Sequence, residues 1–183
     1  MALEKQSNKL ILYIAMSLDG YIADKNGSVD FLDDTPAPVP DLGYEEFYAS
    51  IQAIIFGGTT YRQVKNELSP DKWPYPGMPC YICTKQQDSD DPNVCFTQLP
   101  PRQLLEAIWK DHPGNVWLMG GGKIIRSFLQ ENLIDEYYIY IRPTLLGDGI
   151  PLFPADFPRA SLTLESCQSI GEIVELHYRK KTL

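Results

Sequence analysis

An α/β fold on a largely parallel sheet is what this 183-residue chain predicts. Apolar runs of strand length alternate with amphipathic helical patterns as far as about residue 140. Several of those runs are apolar throughout rather than alternating, as strands buried on both faces are. The final two strand patterns, near 161–168 and 172–180, are joined by only Ser169-Ile170-Gly171. That junction reads as an antiparallel hairpin, so the sheet is mixed. Apolar residues make up 44% of the chain and charged residues 22%, which excludes disorder, collagen and coiled coil.

The elements follow in order. Leu10–Met16 (LILYIAM) is a strand buried on both faces. SLDG and DKNGS are turns. Thr35–Pro40 is a proline-rich loop in which no helix persists. Asp41–Gln52 places Tyr44, Phe47, Tyr48 and Ile51 on one helical face, with Asp41 as its N-cap. AIIF (53–56) is a second buried strand ending at Gly57-Gly58, and Thr59–Leu68 is a helix. Ser69–Pro79 is a loop, and strands at 79–84 and 93–97 flank an acidic turn. Pro100-Pro101 opens a helix carrying Leu104, Leu105, Ile108 and Trp109. Asn115–Met119 is a strand, Gly120–Gly122 a glycine loop, Lys123–Asn132 a helix and Glu136–Arg142 a strand. Pro143–Pro158 is a loop, and in the last strand Val174, Leu176 and Tyr178 share one face. No internal repeat or interdomain linker is visible, so residues 9–183 read as one domain behind a disordered extension, 1–8.

Composition limits the partners. The net charge of -8 makes the chain a poor general binder of nucleic acid or anionic membrane. No apolar run approaches the roughly 18 residues of a membrane span. MALEKQSNKL lacks the features of a signal peptide, which predicts a cytoplasmic protein. Cys80 and Cys83 form a CxxC, open in principle to redox or zinc chemistry. On a strand, however, residues three apart face opposite sides, and no second CxxC follows, so the pair reads as buried and structural and no metal is expected.

The clearest chemical signal is VWLMGGGKIIRSFL (116–129), where a strand runs through Gly120, Gly121 and Gly122 into a helix. Backbone N–H groups at such a helix start cradle anions, and glycine lets a phosphate approach. The bare pattern also fits a tight strand-to-helix turn, and it matches neither GxGxxG nor the P-loop. FGGTTYRQV (56–64) has the same strand-to-helix form, with Thr59 and Thr60 placed either to cap the helix or to bond a phosphate. Two such loops in one small domain suggest a dinucleotide.

AMSLDGYIA (15–23), IIFGGTTY (54–61), WPY (73–75), WLMGGGKIIRSFL (117–129) and IRPTLLGDGIPLF (141–153) together resemble the dihydrofolate-reductase-like superfamily. The branch they are most similar to is the reductase domain of riboflavin biosynthesis and its stand-alone bacterial relatives. The resemblance spans residues 9–180 and implies a three-layer fold. Its twisted, mostly parallel sheet has about eight strands, flanking helices and an antiparallel C-terminal strand. It implies NADPH as cofactor, a small-molecule substrate and a homodimer.

By motif, Ala15 and Ile22 flank the nicotinamide, and Asp19 and Gly20 belong to the loop that closes on it. Gly57, Gly58, Thr59 and Thr60 lie along the pyrophosphate and adenosine side, and Gly120, Gly121, Gly122 and the Lys123 N–H take the pyrophosphate. Thr84 and Lys85 lie near the adenosine 2′-phosphate. Many relatives carry an arginine where this chain has Gly58; Lys85 or Arg62 could replace it, which leaves NADH open beside NADPH. The acid that anchors the substrate ring falls on Asp41, with Glu45 one helical turn on as its rival. Arg142 and Arg159 are candidates for a substrate phosphate. The activity implied is hydride transfer to a small heterocyclic or sugar-bearing substrate, as in 5-amino-6-(5-phosphoribosylamino)uracil reductase. The alternatives are a nucleotide-binding protein without catalysis and a dihydrofolate or pterin reductase.

Overall fold

The computed structural model describes residues 8–34, 42–87, 89 and 91–181. Eight strands form one sheet in the order β5-β4-β3-β6-β1-β7-β10-β9. They are β1 (Lys9–Ser17), β3 (Ile51–Gly57), β4 (Cys80–Cys83), β5 (Val94–Thr97), β6 (Asn115–Gly120), β7 (Glu136–Arg142), β9 (Leu162–Ile170) and β10 (Ile173–Lys180). Pairings from β5 across to β7 are parallel, and β10 runs antiparallel to both β7 and β9. The mixed, mostly parallel α/β sheet expected from the sequence is therefore present.

β1 shows why its seven apolar residues have no polar alternation. Leu10 and Leu12 enter one core cluster, with Leu104, Ile108 and Phe128, while Ile11 enters a second, with Phe47, Tyr61 and Trp117. The first cluster is capped by α3 (Pro101–Asp111) and α4 (Gly122–Gln130), the second by α1 (Tyr44–Ser50) and α2 (Gly58–Gln63). Burial on both faces gives three layers. Truncating a fully buried side chain such as Phe128 removes about 3–5 kcal/mol.

Several boundaries differ from the sequence expectation. The helix expected over 41–52 is only Tyr44–Ser50, because Gly43 sits at φ 73° and starts it, and Ile51 is already extended. The burial of Ile51 and Ala53 in opposite clusters draws the chain into β3 early. Asp41, the expected N-cap, lies outside the described residues. α2 starts at Gly58 rather than Thr59 and widens at Val64–Leu68 into a π-helical turn. The final strands run further than expected and turn at Gly171, whose φ is 60°. Asn8, placed in the extension by sequence, accepts the Gly114 N–H through its side-chain oxygen at 2.9 Å; residues 1–7 are not described.

Three small elements escaped the sequence reading. Asp30–Asp33 forms a single 3-10 turn, and the short strands β2 (Tyr21–Ala23) and β8 (Ile150–Pro151) pair with each other. Leu176 and Tyr178 pack against the first core cluster, so much of the apolar face of β10 serves the sheet core. Among the described residues no helix is long and apolar enough to cross a membrane, and no group of three or more His, Cys, Asp or Glu could hold a metal ion.

Candidate functional site

The two glycine loops, separated by about sixty residues in sequence, meet at the C-terminal ends of β3 and β6. A Cβ at Gly57 would lie 3.3 Å from the Gly120 carbonyl oxygen and 3.6 Å from the Gly121 nitrogen. A Cβ at Gly121 would lie 3.0 Å from the Thr60 hydroxyl oxygen. Gly120 has φ 115°, a conformation that L side chains rarely adopt, and its Cβ would press on Ile125 at 3.2 Å. The glycines are thus required by close approach as well as by backbone shape.

Gly121 is the N-cap of α4, and no side chain caps that helix. Its carbonyl accepts the N–H groups of Ile124 and Ile125, at 3.0 and 3.1 Å. The N–H groups of Gly122 and Lys123 belong to the first turn, where a helix supplies no internal acceptor. Together with the glycine-lined approach they form a concave donor surface suited to an anion. α2 has no side-chain cap either; Thr59 is exposed, and Thr60 turns toward Gly121 instead of capping.

Of the residues predicted near the nicotinamide, Ile22 reaches this junction and the others, Ala15, Asp19 and Gly20, lie along the start of the chain. Ala15 lies on β1 opposite Tyr140 of β7. Ile22 on β2 and Ile150 on β8 both reach the Gly122 position, at 3.9 and 3.1 Å from its Cβ site. Gly20, at φ 90°, accepts the Leu152 N–H at 2.9 Å. Asp19 plays a role the sequence did not reveal. Its carboxylate accepts the Ser17 hydroxyl at 2.6 Å and the N–H groups of Leu146 and Gly147 at 3.2 and 2.7 Å. Those bonds, led by the one from Ser17, hold the Asp19 carboxyl below the usual carboxylate range. Asp19 therefore latches the loop after β1 to the loop after β7.

On the other side of the glycines lies an open cavity of about 390 Å³. Its apolar lining includes Leu99, Leu104, Ile124 and Phe128; its polar lining includes Thr84, Thr97 and Ser127, with Lys85 at the edge. Thr84 and Lys85, both expected on the adenosine side, are brought to one wall. Gly58 packs directly on Thr84: a Cβ there would lie 2.8 Å from the threonine Cβ. The Arg62 guanidinium comes within 3.4 Å of the same point and donates to Gln86 at 3.0 Å.

Beside β1 and β7 the structure is built from aromatic rings. Tyr13 and Tyr140 both donate their hydroxyls to the Leu42 carbonyl, at 3.2 and 2.8 Å, and so fix the chain just after Asp41 over β1 and β7. Burial, with Tyr13 and Glu175 alongside, pushes the Tyr140 hydroxyl well above the usual phenol range. Neither tyrosine was singled out from the sequence, where both read only as strand residues. Glu45 is exposed in the first turn of α1, and Asp41 is not described. Trp73 and Tyr75 pack with Phe56 and Tyr61 or Trp117, which makes them core residues.

Arg142 is not a solvated cation, as the sequence allowed. It is 4% exposed and donates to the Leu32 carbonyl. Burial lowers its pKa, an effect opposed by Asp33 and Asp34 beside it. Burial also pushes the thiols of Cys80 and Cys83 up, to about 12 and about 11, which removes thiolate chemistry from the CxxC.

With this geometry in hand, the likenesses to known proteins can be placed. The chain matches the family described as RibD C-terminal domain over residues 8–176. It is 38% identical over 171 residues, 93% of its length and 97% of the relative's, to the Bacillus subtilis protein YwjB, itself named as uncharacterized. Among solved structures, a Shewanella sp. PV-4 protein named for riboflavin biosynthesis superposes with TM-score 0.85 at 29% identity, covering 95% of this chain and 99% of the other. Dihydrofolate reductase from Enterococcus faecalis, solved with NADP(H), superposes with TM-score 0.66 at 13% identity, covering 95% and 97%, and shares the fold. The chain belongs to the RibD C-terminal domain family, on a dihydrofolate-reductase-like fold.

Proposed function

We propose that the chain is a nicotinamide-dependent oxidoreductase that uses NADPH. It reduces a carbonyl or imine carbon of a small substrate, as 5-amino-6-(5-phosphoribosylamino)uracil reductase does. The observation that carries this reading is the packing of Gly57 against Gly120 and Gly121 beside the cavity walled by Thr84 and Lys85. That packing keeps side chains out of the junction where β3 and β6 end, beside the uncapped first turn of α4. The donor set fits the group: first-turn N–H groups of α4 for a pyrophosphate, an apolar cavity for an adenine, and Ala15 and Ile22 for a flat nicotinamide.

When bound, the cofactor would supply hydride from its C4. The chain's own residues bind, orient and exclude water. The N–H groups of Gly122 and Lys123 hold the phosphates. Ile22 and Ile150 pack beside Gly122 and give that side of the site an apolar wall. Asp19 fixes the loops on either side of the nicotinamide position. The proton that completes reduction reaches the substrate from Asp41 or Glu45, or from water they orient.

The substrate end favours an unphosphorylated ring. Residues 26–61 contain no lysine or arginine but six carboxylates: Asp30, Asp33, Asp34, Asp41, Glu45 and Glu46. Of the two candidate partners for a phosphate, Arg142 is buried against Leu32 and Arg159 is exposed. We also carry a cytoplasmic location and a homodimer as part of this reading. All four cysteines are free thiols, as in a reducing compartment. The outer strand β9 bears Leu164, 51% exposed, on an open edge.

The test is loss of reduced-nicotinamide absorbance during turnover with phosphoribosylaminopyrimidines, pterins and simple carbonyls. Oxidation of NADPH with one of the unphosphorylated rings is expected. Tight NADPH binding with no turnover on any of the three classes would sink the reductase and leave a nucleotide-binding protein.

A further inference from the structure

Tyrosines crowd the place where α1 meets β1. Tyr13 and Ala15 share a face of β1, so the Tyr13 ring lies beside the position proposed for the nicotinamide. Tyr13 stacks on Phe47 at 4.2 Å and donates to the Leu42 carbonyl, which closes that part of β1 to another ring. The next ring outward is Tyr44, 6.3 Å from Tyr13 and 38% exposed. Tyr48 stacks on Tyr44 at 5.8 Å, and Tyr75 meets Tyr48 at 6.1 Å. Tyr44 and Tyr75 also hydrogen-bond to each other. The Tyr75 hydroxyl donates to the Met119 sulfur at 4.0 Å, one residue before Gly120. Burial holds the Tyr44 and Tyr75 hydroxyls above the usual phenol range, so both stay neutral. The stack thus reaches from the surface to the glycine junction.

The charges around it are one-sided. Glu45 and Glu46 follow Tyr44 in the first turn of α1, and both are exposed. Glu175 is buried opposite Tyr140 on the neighbouring strand. Arg142 shares that face of β7, but it is turned to the Leu32 carbonyl with Asp33 and Asp34 beside it. Lys9 is taken up by Glu136 at 2.7 Å. Ring faces are negative, and nearby carboxylates add to that, so a cation is drawn in and an anion is repelled. We infer that the substrate is a flat ring bearing a positive charge, which stacks on the outer face of Tyr44. This rests on the reductase reading above and narrows its substrate class. Tyr44 is the specificity residue, Tyr48 and Tyr75 back it, and Glu45 supplies charge at the rim.

The experiment uses three two-ring probes: N-methylquinolinium, quinoline and 2-naphthoate, which are cationic, neutral and anionic at pH 7.5. Binding is read by NMR from the Met119 methyl and Tyr44 ring signals, in the free protein and again with NADPH. The wild type is expected to bind the cation about tenfold or more tighter than naphthoate, with quinoline between them. Tyr44→Phe keeps that order. Tyr44→Ala weakens the cation by about three- to thirtyfold, and Glu45→Gln weakens it less. Unchanged melting of each variant shows that the fold is intact. Naphthoate binding as tightly as the cation, no shift with any probe, or a Tyr44→Ala protein with wild-type cation affinity overturns the substrate class while NADPH binding stands. A wild type that binds the cation at Tyr44 but no NADPH overturns the reductase reading instead.

Discussion

The two ends of the cleft are built by opposite means. At the proposed cofactor end, glycines remove side chains where β3 and β6 meet the first turn of α4, and a cavity walled by Thr84 and Lys85 lies beside them. At the substrate end, bulky rings fill the space and their hydroxyls grip the backbone, as Tyr13 and Tyr140 grip Leu42. The first end suits a phosphate-bearing ligand. The second, lacking lysine and arginine through residues 26–61, suits an uncharged or cationic ring.

The largest expected effect tests the cofactor end. In Gly121→Val a side chain enters beside the first turn of α4 at a point 3.0 Å from the Thr60 hydroxyl oxygen. Dinucleotide affinity should fall by about two powers of ten, the loss of roughly 2–3 kcal/mol of charge-assisted hydrogen bonding. Retained affinity by fluorescence titration would show that the pyrophosphate lies elsewhere. Next comes Gly58→Ala, whose methyl would stand 2.8 Å from the Thr84 Cβ. It should destabilise the protein by about 1–3 kcal/mol in urea unfolding, and adding Thr84→Gly should relieve most of that. No relief in the double variant would disprove the packing.

At the substrate end the effects are smaller and local. Tyr140→Phe leaves the ring and removes the bond to Leu42, at a cost of about 1 kcal/mol. Amide exchange near Leu42–Tyr44 should quicken while NADPH affinity stays the same. A change in cofactor affinity instead would join the two ends that the structure keeps apart. The smallest effect is electrostatic. Because the Asp19 pKa is held below its ordinary 3.8, the ionised latch is fully present above that value and is lost as pH falls through the lower native one. The amide NMR shifts of Leu146 and Gly147 should therefore be constant down to about pH 4 and move only below it. Asp19→Ala should shift them at neutral pH. Titration of those amides near neutrality would show that another group holds the loop.

Much of this was legible in the sequence, for identifiable reasons. Leu10–Met16 and Ala53–Phe56 lie in central strands buried on both faces, so their unbroken apolar runs are strong local signals. The glycine loops were legible because strand, glycines and helix are contiguous. What was not legible depends on distant residues. The pairing of Tyr21–Ala23 with Ile150–Pro151 joins segments more than a hundred residues apart through three- and two-residue strands. The early end of α1 follows from where Ile51 and Ala53 must pack. Arg142 stood as a candidate for a substrate phosphate because nothing local announces the Leu32 carbonyl. Gly58 looked like a loss until Thr84 and Arg62 were seen against it.

The central proposal is that the glycine junction of Gly57 with Gly120–Gly122, at the start of α4, holds the pyrophosphate of a nicotinamide dinucleotide. It is tested most directly by titrating the protein with NADPH and reading energy transfer from tryptophan to the reduced nicotinamide, with Gly121→Val in parallel. Saturable micromolar binding by the wild type, lost in the variant, is the predicted result. Absence of transfer in the wild type, or binding that the valine leaves unchanged, would contradict it.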